Sequence, residues 1–191
     1  MAFRRQLFSD VVGHAAHVPN YIAGVPTAMI NARQTKVKEK VVTVCYNISV
    51  ACGVGASRIQ KTAIEVLGAV ILLEASGVRV NLYVCDISES SCQTIGWCCK
   101  IKDSKQQLNV LKTAYPLCHP SMLRRHSFRW TETTKGVSST FVNGYGRALN
   151  ETQEMLNACG LRGTCSFRLF DVEGKSAEDV AQYILNGAGL K

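Results

Sequence analysis

The chain lacks any apolar run long enough to cross a bilayer. Its longest, Val66 to Leu73, is broken by Gly68 and flanked by Glu65 and Glu74, far short of the roughly 20 residues that a membrane helix needs. A secretory signal is also missing: Met1 to Val12 carries Arg4 and Arg5 but neither an apolar core nor a small-residue cleavage site. The expected location is therefore the cytoplasm, with no membrane partner. Proline is scarce, with 4 among 191 residues, and low-complexity segments and internal repeats are absent. A chain that is 47% hydrophobic and 19% charged can bury a core without disulfides or a structural metal, which excludes disorder.

Acidic side chains are in deficit. The 14 carboxylates face 22 lysines and arginines, giving a net charge of +8 and a pI near 9.1. Such a balance attracts polyanions: nucleic acid, a nucleoprotein or an acidic protein surface. Catalytic signatures are missing too. There is no G-x-S-x-G elbow and no H-E-x-x-H pair, and nothing local supports a cysteine–histidine couple. The expectation is a protein that binds and does not catalyse, with no cofactor.

Nine cysteines are present, at 45, 52, 85, 92, 98, 99, 118, 159 and 165. An odd count in a chain of this size predicts reduced thiols. Cys45, Cys85 and Cys165 lie in apolar strand-like runs, where cysteine acts as a small hydrophobe.

Two regions are expected. Residues 1–40 read as an N-terminal helix (Phe3 to Ala16, with Phe3, Leu7, Val11 and Ala15 four apart) followed by an irregular basic arm, packed on a single α/β domain of residues 41–191. In that domain VVTVCYNISV (Val41 to Val50) is β-branched and nearly continuously apolar, the pattern of a strand buried on both faces. A helix from Ser57 to Ala75 follows, with Ile59, Ala63, Val66, Val70 and Leu73 on one stripe and Gly77 as its stop. Val78 to Cys85 should be a parallel neighbour of the first strand, and Thr94 to Ile101 an antiparallel third strand beyond a Ser-rich loop. Next come a helix from Asp103 or Ser104 to Tyr115, stopped by Pro116, a helical turn after Pro120, and an edge strand at Phe128 to Trp130. A glycine-rich loop from Gly136 to Tyr145, a helix from Arg147 to Ala158, a strand from Thr164 to Phe170 and a helix from Ser176 to Leu185 complete the chain. Strands alternating with helices predict a three-layer sandwich with a mixed, mainly parallel sheet, whose strand carboxyl ends are where ligands bind.

Several constellations carry candidate chemistry. Gly53-Val54-Gly55-Ala56-Ser57-Arg58 lies between strand and helix, but a dinucleotide fingerprint needs glycine where Arg58 stands, so a tight turn is the better reading. Asp86-Ile87-Ser88-Glu89-Ser90 matches a D-x-S-x-S metal loop, making Asp86, Ser88 and Ser90 weak cation candidates. The helix that should follow such a loop is replaced by a cysteine-rich strand. Cys98, Cys99, Cys118, His119 and His126 lack zinc-site spacings, and His14 and His17 read as a half-exposed helical pair. The sharpest candidate is Pro120 to Trp130, where Arg124, Arg125, His126 and Arg129 adjoin Phe128 and Trp130. Guanidinium forks bind phosphates and aromatic faces stack on bases. Arg33, Lys36, Lys38, Lys40, Lys100, Lys102 and Lys105 join this segment in one positive surface if folding gathers them.

The segments GVPTAM (Gly24 to Met29), VVTVCYNISV, LLEASGVRV and HPSMLRRHSF together resemble a family of small phage-encoded proteins with a von Willebrand factor A-like fold, over roughly residues 20 to 185. The resemblance implies a von Willebrand factor A-like sandwich with a degenerate metal loop and a place in the cytoplasm of a bacterial host. It also implies an anti-defence role: binding and inhibiting a host nucleoprotein such as a CRISPR nuclease. An adaptor for an AAA+ ATPase and a metal-dependent hydrolase or nuclease are the alternatives.

Overall fold

A computed structural model describes residues 2–37, 40–89, 94–137, 147–148 and 153–190. The chain divides into two compact units, 1–39 and 40–191.

The first unit is a small antiparallel sheet. Strand β1 (Ala2–Asp10) pairs along its length with β3 (Met29–Val37), from Ala2 opposite Val37 to Asp10 opposite Met29, and the short β2 (Ala15–Ala16) pairs with Ile30 and Met29. The one-turn helix α1 (Val18–Ile22) lies between β2 and β3, its first turn capped by the ring of His17, which accepts from the Asn20 N–H at 3.3 Å. Both expectations for this region are corrected: Phe3 to Asp10 is a strand, not a helix, and Met29–Val37 of the arm is a strand. Residues four apart share a face in a strand as well as in a helix, so the spacing of Phe3, Leu7, Val11 and Ala15 did not discriminate between them. His14 and His17 are accordingly not a helical pair.

The second unit is a mixed α/β fold around one sheet. Its strands are β4 (Lys40–Asn47), β5 (Val78–Glu89), β6 (Thr94–Lys102), the two-residue β7 (Arg147–Ala148) and β8 (Cys165–Arg168), in the order β6-β5-β4-β8 with β7 on β5. β4 runs parallel to both β5 and β8, whereas β6 and β7 are antiparallel to β5. The central position of β4 is what its continuous apolar run predicts. Val42, Val44 and Tyr46 fill the main core on one face, and Cys45 joins a second apolar cluster.

Helix α2 (Ala56–Ala75) connects β4 to β5 and buries the whole expected stripe: Ile59, Ala63, Val66, Val70 and Leu73. Its cap is Gly55, not Ser57, and Gly77 (φ 85°) carries the chain out of it. Against α2 pack α3 (Val110–Cys118) and α7 (Ala177–Gly187), the latter capped reciprocally by Ser176 and Asp179. Among the described residues, Leu156 of α5 (Gln153–Ala158) and Leu161 cover the opposite face of the sheet, resting on Cys45, Cys85 and Ile87.

The expected elements differ in several places. α3 starts only after Asn109, whose side chain accepts from the Lys112 N–H at 3.1 Å, and it runs through Pro116. A proline near a helix end removes few backbone bonds, which is why it did not stop the helix. Phe128 to Trp130 is helical: residues Met122–Ser127 form a π-helical turn that continues into α4 (Phe128–Thr133). Asp86 to Glu89 belongs to β5 and not to a loop. Residues 147–148 are strand, and the described part of the helix expected from Arg147 is α5. The strand expected to reach Phe170 ends at Arg168, where the short α6 (Leu169–Val172) takes over. Most of the loop expected at Gly136 to Tyr145 lies outside the described residues. No helix among the described residues is long and apolar enough to cross a membrane.

Candidate functional site

The carboxyl end of β5 overlies a buried polar network. Asp86 is 6% exposed, yet it carries a carboxylate, and such a group is tolerated inside a protein only when it is hydrogen-bonded. Ser49, just beyond β4, donates to its Oδ1 at 2.5 Å and accepts from the Ile87 N–H at 2.8 Å. Ser127, on the π-helical turn, donates to Oδ2 and accepts from the Trp97 indole N–H at 2.8 Å. Each serine thus relays one N–H to one carboxylate oxygen, and both oxygens of Asp86 are engaged. The D-x-S-x-S reading gains nothing from this arrangement: Asp86 faces hydroxyls in the interior, Ser88 is half-buried in β5 opposite Ile95, and Ser90 lies outside the described residues.

This network anchors the basic segment. Leu123 and Ser127 of the π-helical turn point inward and are buried, whereas Arg124, Arg125, His126 and Arg129 are exposed and Trp130 is half-buried. π-Turns are uncommon and often mark functional positions. Arg124 reaches the glycine loop after β4, donating to the Val54 carbonyl at 2.7 Å, so that loop is braced as a turn. Arg125 and Arg129, one turn apart, make no ion pair among the described residues. Beside them His126 shares a hydrogen bond with the Tyr115 hydroxyl at 2.8 Å, and the Tyr115 ring stacks on His119 at 5.2 Å between centroids. Arg125 and Arg129, without an ion pair among the described residues, thus share an exposed helical segment with His126.

Within the second unit, Lys40, Lys100 and Lys102 lie elsewhere. Lys40 opens β4 at the far end of the sheet, about 23 Å from Asn47 at the rise of an extended strand. Lys100 is exposed, bonded to Asp103 at 2.9 Å and resting over the Tyr83 ring at 5.3 Å. Lys102 is corrected outright: it is 3% exposed, and its ammonium donates to Glu74 at 2.8 Å and to the Val80 carbonyl at 3.1 Å. A bulge in β6, where the register to β5 shifts between Leu82 and Tyr83, brings it to the core face. Arg33 and Lys36 belong to β3 of the other unit, and Lys38 lies outside the described residues. Lys105 is exposed, and its backbone N–H donates to the Asp103 carboxylate at 3.0 Å.

Sequence spacing missed a second constellation. The Sγ atoms of Cys45, Cys85 and Cys98, on three adjacent strands, all lie within 4.8 Å of one another. Cys85 and Cys98 sit directly opposite in the β5–β6 ladder. Hydrogen bonds from Cys45 and then Cys85 hold the Cys98 thiol well below its usual range, and the same contacts push Cys85 upward. Cys159, following α5, has its thiol pushed upward by burial and by the neighbouring Cys98. The overlooked signal was the equal sequence distance of Cys85 and Cys98 from the middle of their connection, which places them opposite in any regular hairpin.

Fold and sites together define a mixed α/β protein with an anchored basic ridge at one sheet end and a thiol cluster on one sheet face. The chain belongs to the family described as Domain of unknown function (DUF7192), whose profile matches residues 2–179. No curated protein and no solved structure matches it.

Proposed function

We propose that this chain is a non-catalytic binding protein that engages the phosphate backbone of a nucleic acid, free or within a nucleoprotein, through Arg125 and Arg129. The observation that carries the reading is the exposure of these two guanidiniums, unpaired among the described residues, on a segment fixed to the sheet by the Asp86–Ser127–Trp97 relay. A guanidinium that need not break an internal ion pair can meet phosphate bidentately at little reorganisation cost. Arg124 borders the same surface, and Tyr115, His119 and His126 offer ring faces beside it for base stacking. The likeness to phage-encoded von Willebrand factor A-like proteins extends the proposal to a bacterial host nucleoprotein, a CRISPR nuclease among them, as the target that is bound and inhibited. The parallel β4–α2–β5 unit is compatible with that ancestry.

Fluorescence anisotropy of a labelled single-stranded oligonucleotide over graded salt tests the reading. Affinity should fall linearly with salt on logarithmic axes, with a slope equivalent to about two to four phosphates. Absence of association at low salt would overturn it.

A further inference from the structure

The cysteine cluster is independent of the basic ridge, and its geometry is specific. Three thiols from β4, β5 and β6 converge on one point of the sheet face opposite α2, beneath an apolar shell of Leu156, Leu161 and Met155. Cys45 and Cys85 are fully buried and Cys98 is half-buried. A fourth cysteine, the exposed Cys159, follows α5 in the layer over this face. Cys98 and Cys159 line a cleft of about 450 Å³ that opens onto this face, which provides an entry path from solvent.

We propose that Cys45, Cys85, Cys98 and Cys159 form a four-thiolate site for a thiophilic d¹⁰ cation of the zinc class. Tetrahedral coordination at the usual zinc–sulfur length of about 2.3 Å separates the sulfurs by about 3.8 Å. The three inner sulfurs already lie within 4.8 Å of one another, so rotamer adjustments of well under an ångström bring them to that edge. Sulfur-only donors select zinc or copper(I) and reject magnesium, calcium and manganese. Core cysteines acting as small hydrophobes have no reason to meet sulfur to sulfur across three strands while a fourth approaches from the covering layer. Binding replaces thiol protons with metal–sulfur bonds, so each ligand that ionises releases its proton to solvent and no oxidant or reductant is needed.

The test uses the full chain, purified under reducing conditions and loaded with Zn²⁺ or Co²⁺. One metal ion per chain is expected, with thiolate-to-cobalt charge-transfer absorption in the near ultraviolet and a rise in Tm on adding Zn²⁺. Cys98→Ser should weaken Zn²⁺ binding by about tenfold or more and diminish the charge-transfer band. Cys99→Ser, at the neighbouring exposed position on the opposite strand face, should keep it. If Cys98→Ser fails to fold, Cys159→Ser serves instead: its exposed position leaves the core intact, and Zn²⁺ affinity should drop by about tenfold or more. The proposal is overturned if the reduced wild-type chain gives no charge-transfer absorption, if Cys98→Ser leaves both the band and the Zn²⁺ affinity unchanged, or if Cys159→Ser binds Zn²⁺ as tightly as the wild type. It is likewise overturned if thiol counting finds a Cys85–Cys98 disulfide in place of metal.

Discussion

Ser127 donates its hydroxyl proton to the carboxylate of Asp86, joining the π-helical turn to the carboxyl end of β5. Its Oγ also accepts from Trp97 on β6, so one hydroxyl links three elements. Ser127→Ala leaves a buried carboxylate oxygen and an indole N–H without partners. It should cost about 2 kcal/mol in urea unfolding. A change below a few tenths would show that the relay does not hold the segment in place.

Glu74 and Lys102 form a largely buried ion pair, with Arg79 and the Val80 N–H completing the carboxylate's partners. Burial pushes the Glu74 carboxyl up, but the hydrogen bonds from Lys102, Val80 and Arg79 outweigh it and hold the group below the usual carboxylate range. A depressed native pKa stabilises the fold above the unfolded-state value of about 4.3, and this contribution is lost as pH falls through the native value. Lys102→Met should therefore destabilise by about 3 kcal/mol at neutral pH, with the difference from wild type shrinking in acid. Chemical unfolding at several pH values measures this, and a pH-independent difference would refute the assignment.

At Gly68, in the middle of α2, an added Cβ would meet the Ala177 Cβ of α7 at 2.9 Å. Two effects compete in Gly68→Ala. Helix propensity favours alanine by about 1 kcal/mol, whereas overpacking between two helices costs about 1–3 kcal/mol. The neighbouring atom belongs to a short, stiff side chain that cannot swing away, so the clash should win and Tm should fall. A rise in Tm would mean that α7 shifts freely.

The run from β4 through α2 and β5 to β6 was legible because each element is long and strongly patterned: β4 is apolar on both faces, and α2 holds an unbroken stripe from Ile59 to Leu73. Local pattern failed where two geometries share it, as with the four-residue spacing in β1. It also failed where tertiary context decided, as at Phe128 to Trp130, whose strand-like residues became helical once Ser127 was fixed by Asp86. Of the basic surface, the segment from Arg124 to Arg129 was readable because its charges are neighbours in sequence. The fate of Lys102 was not, because a single bulge sets which face it occupies. The thiol cluster escaped because zinc-site spacing rules detect ligands from one loop, whereas these come from adjacent strands.

The central claim is that Arg125 and Arg129 carry the binding. The measurement that tests it most directly compares Arg125→Glu/Arg129→Glu with Lys40→Glu, which reverses a charge at the opposite end of the sheet, in oligonucleotide anisotropy over graded salt. The double variant should lose at least about tenfold in affinity and reduce the salt slope by about 2, while Lys40→Glu, screened by distance, should change affinity less than about twofold. Wild-type affinity and slope in the folded double variant would contradict the account.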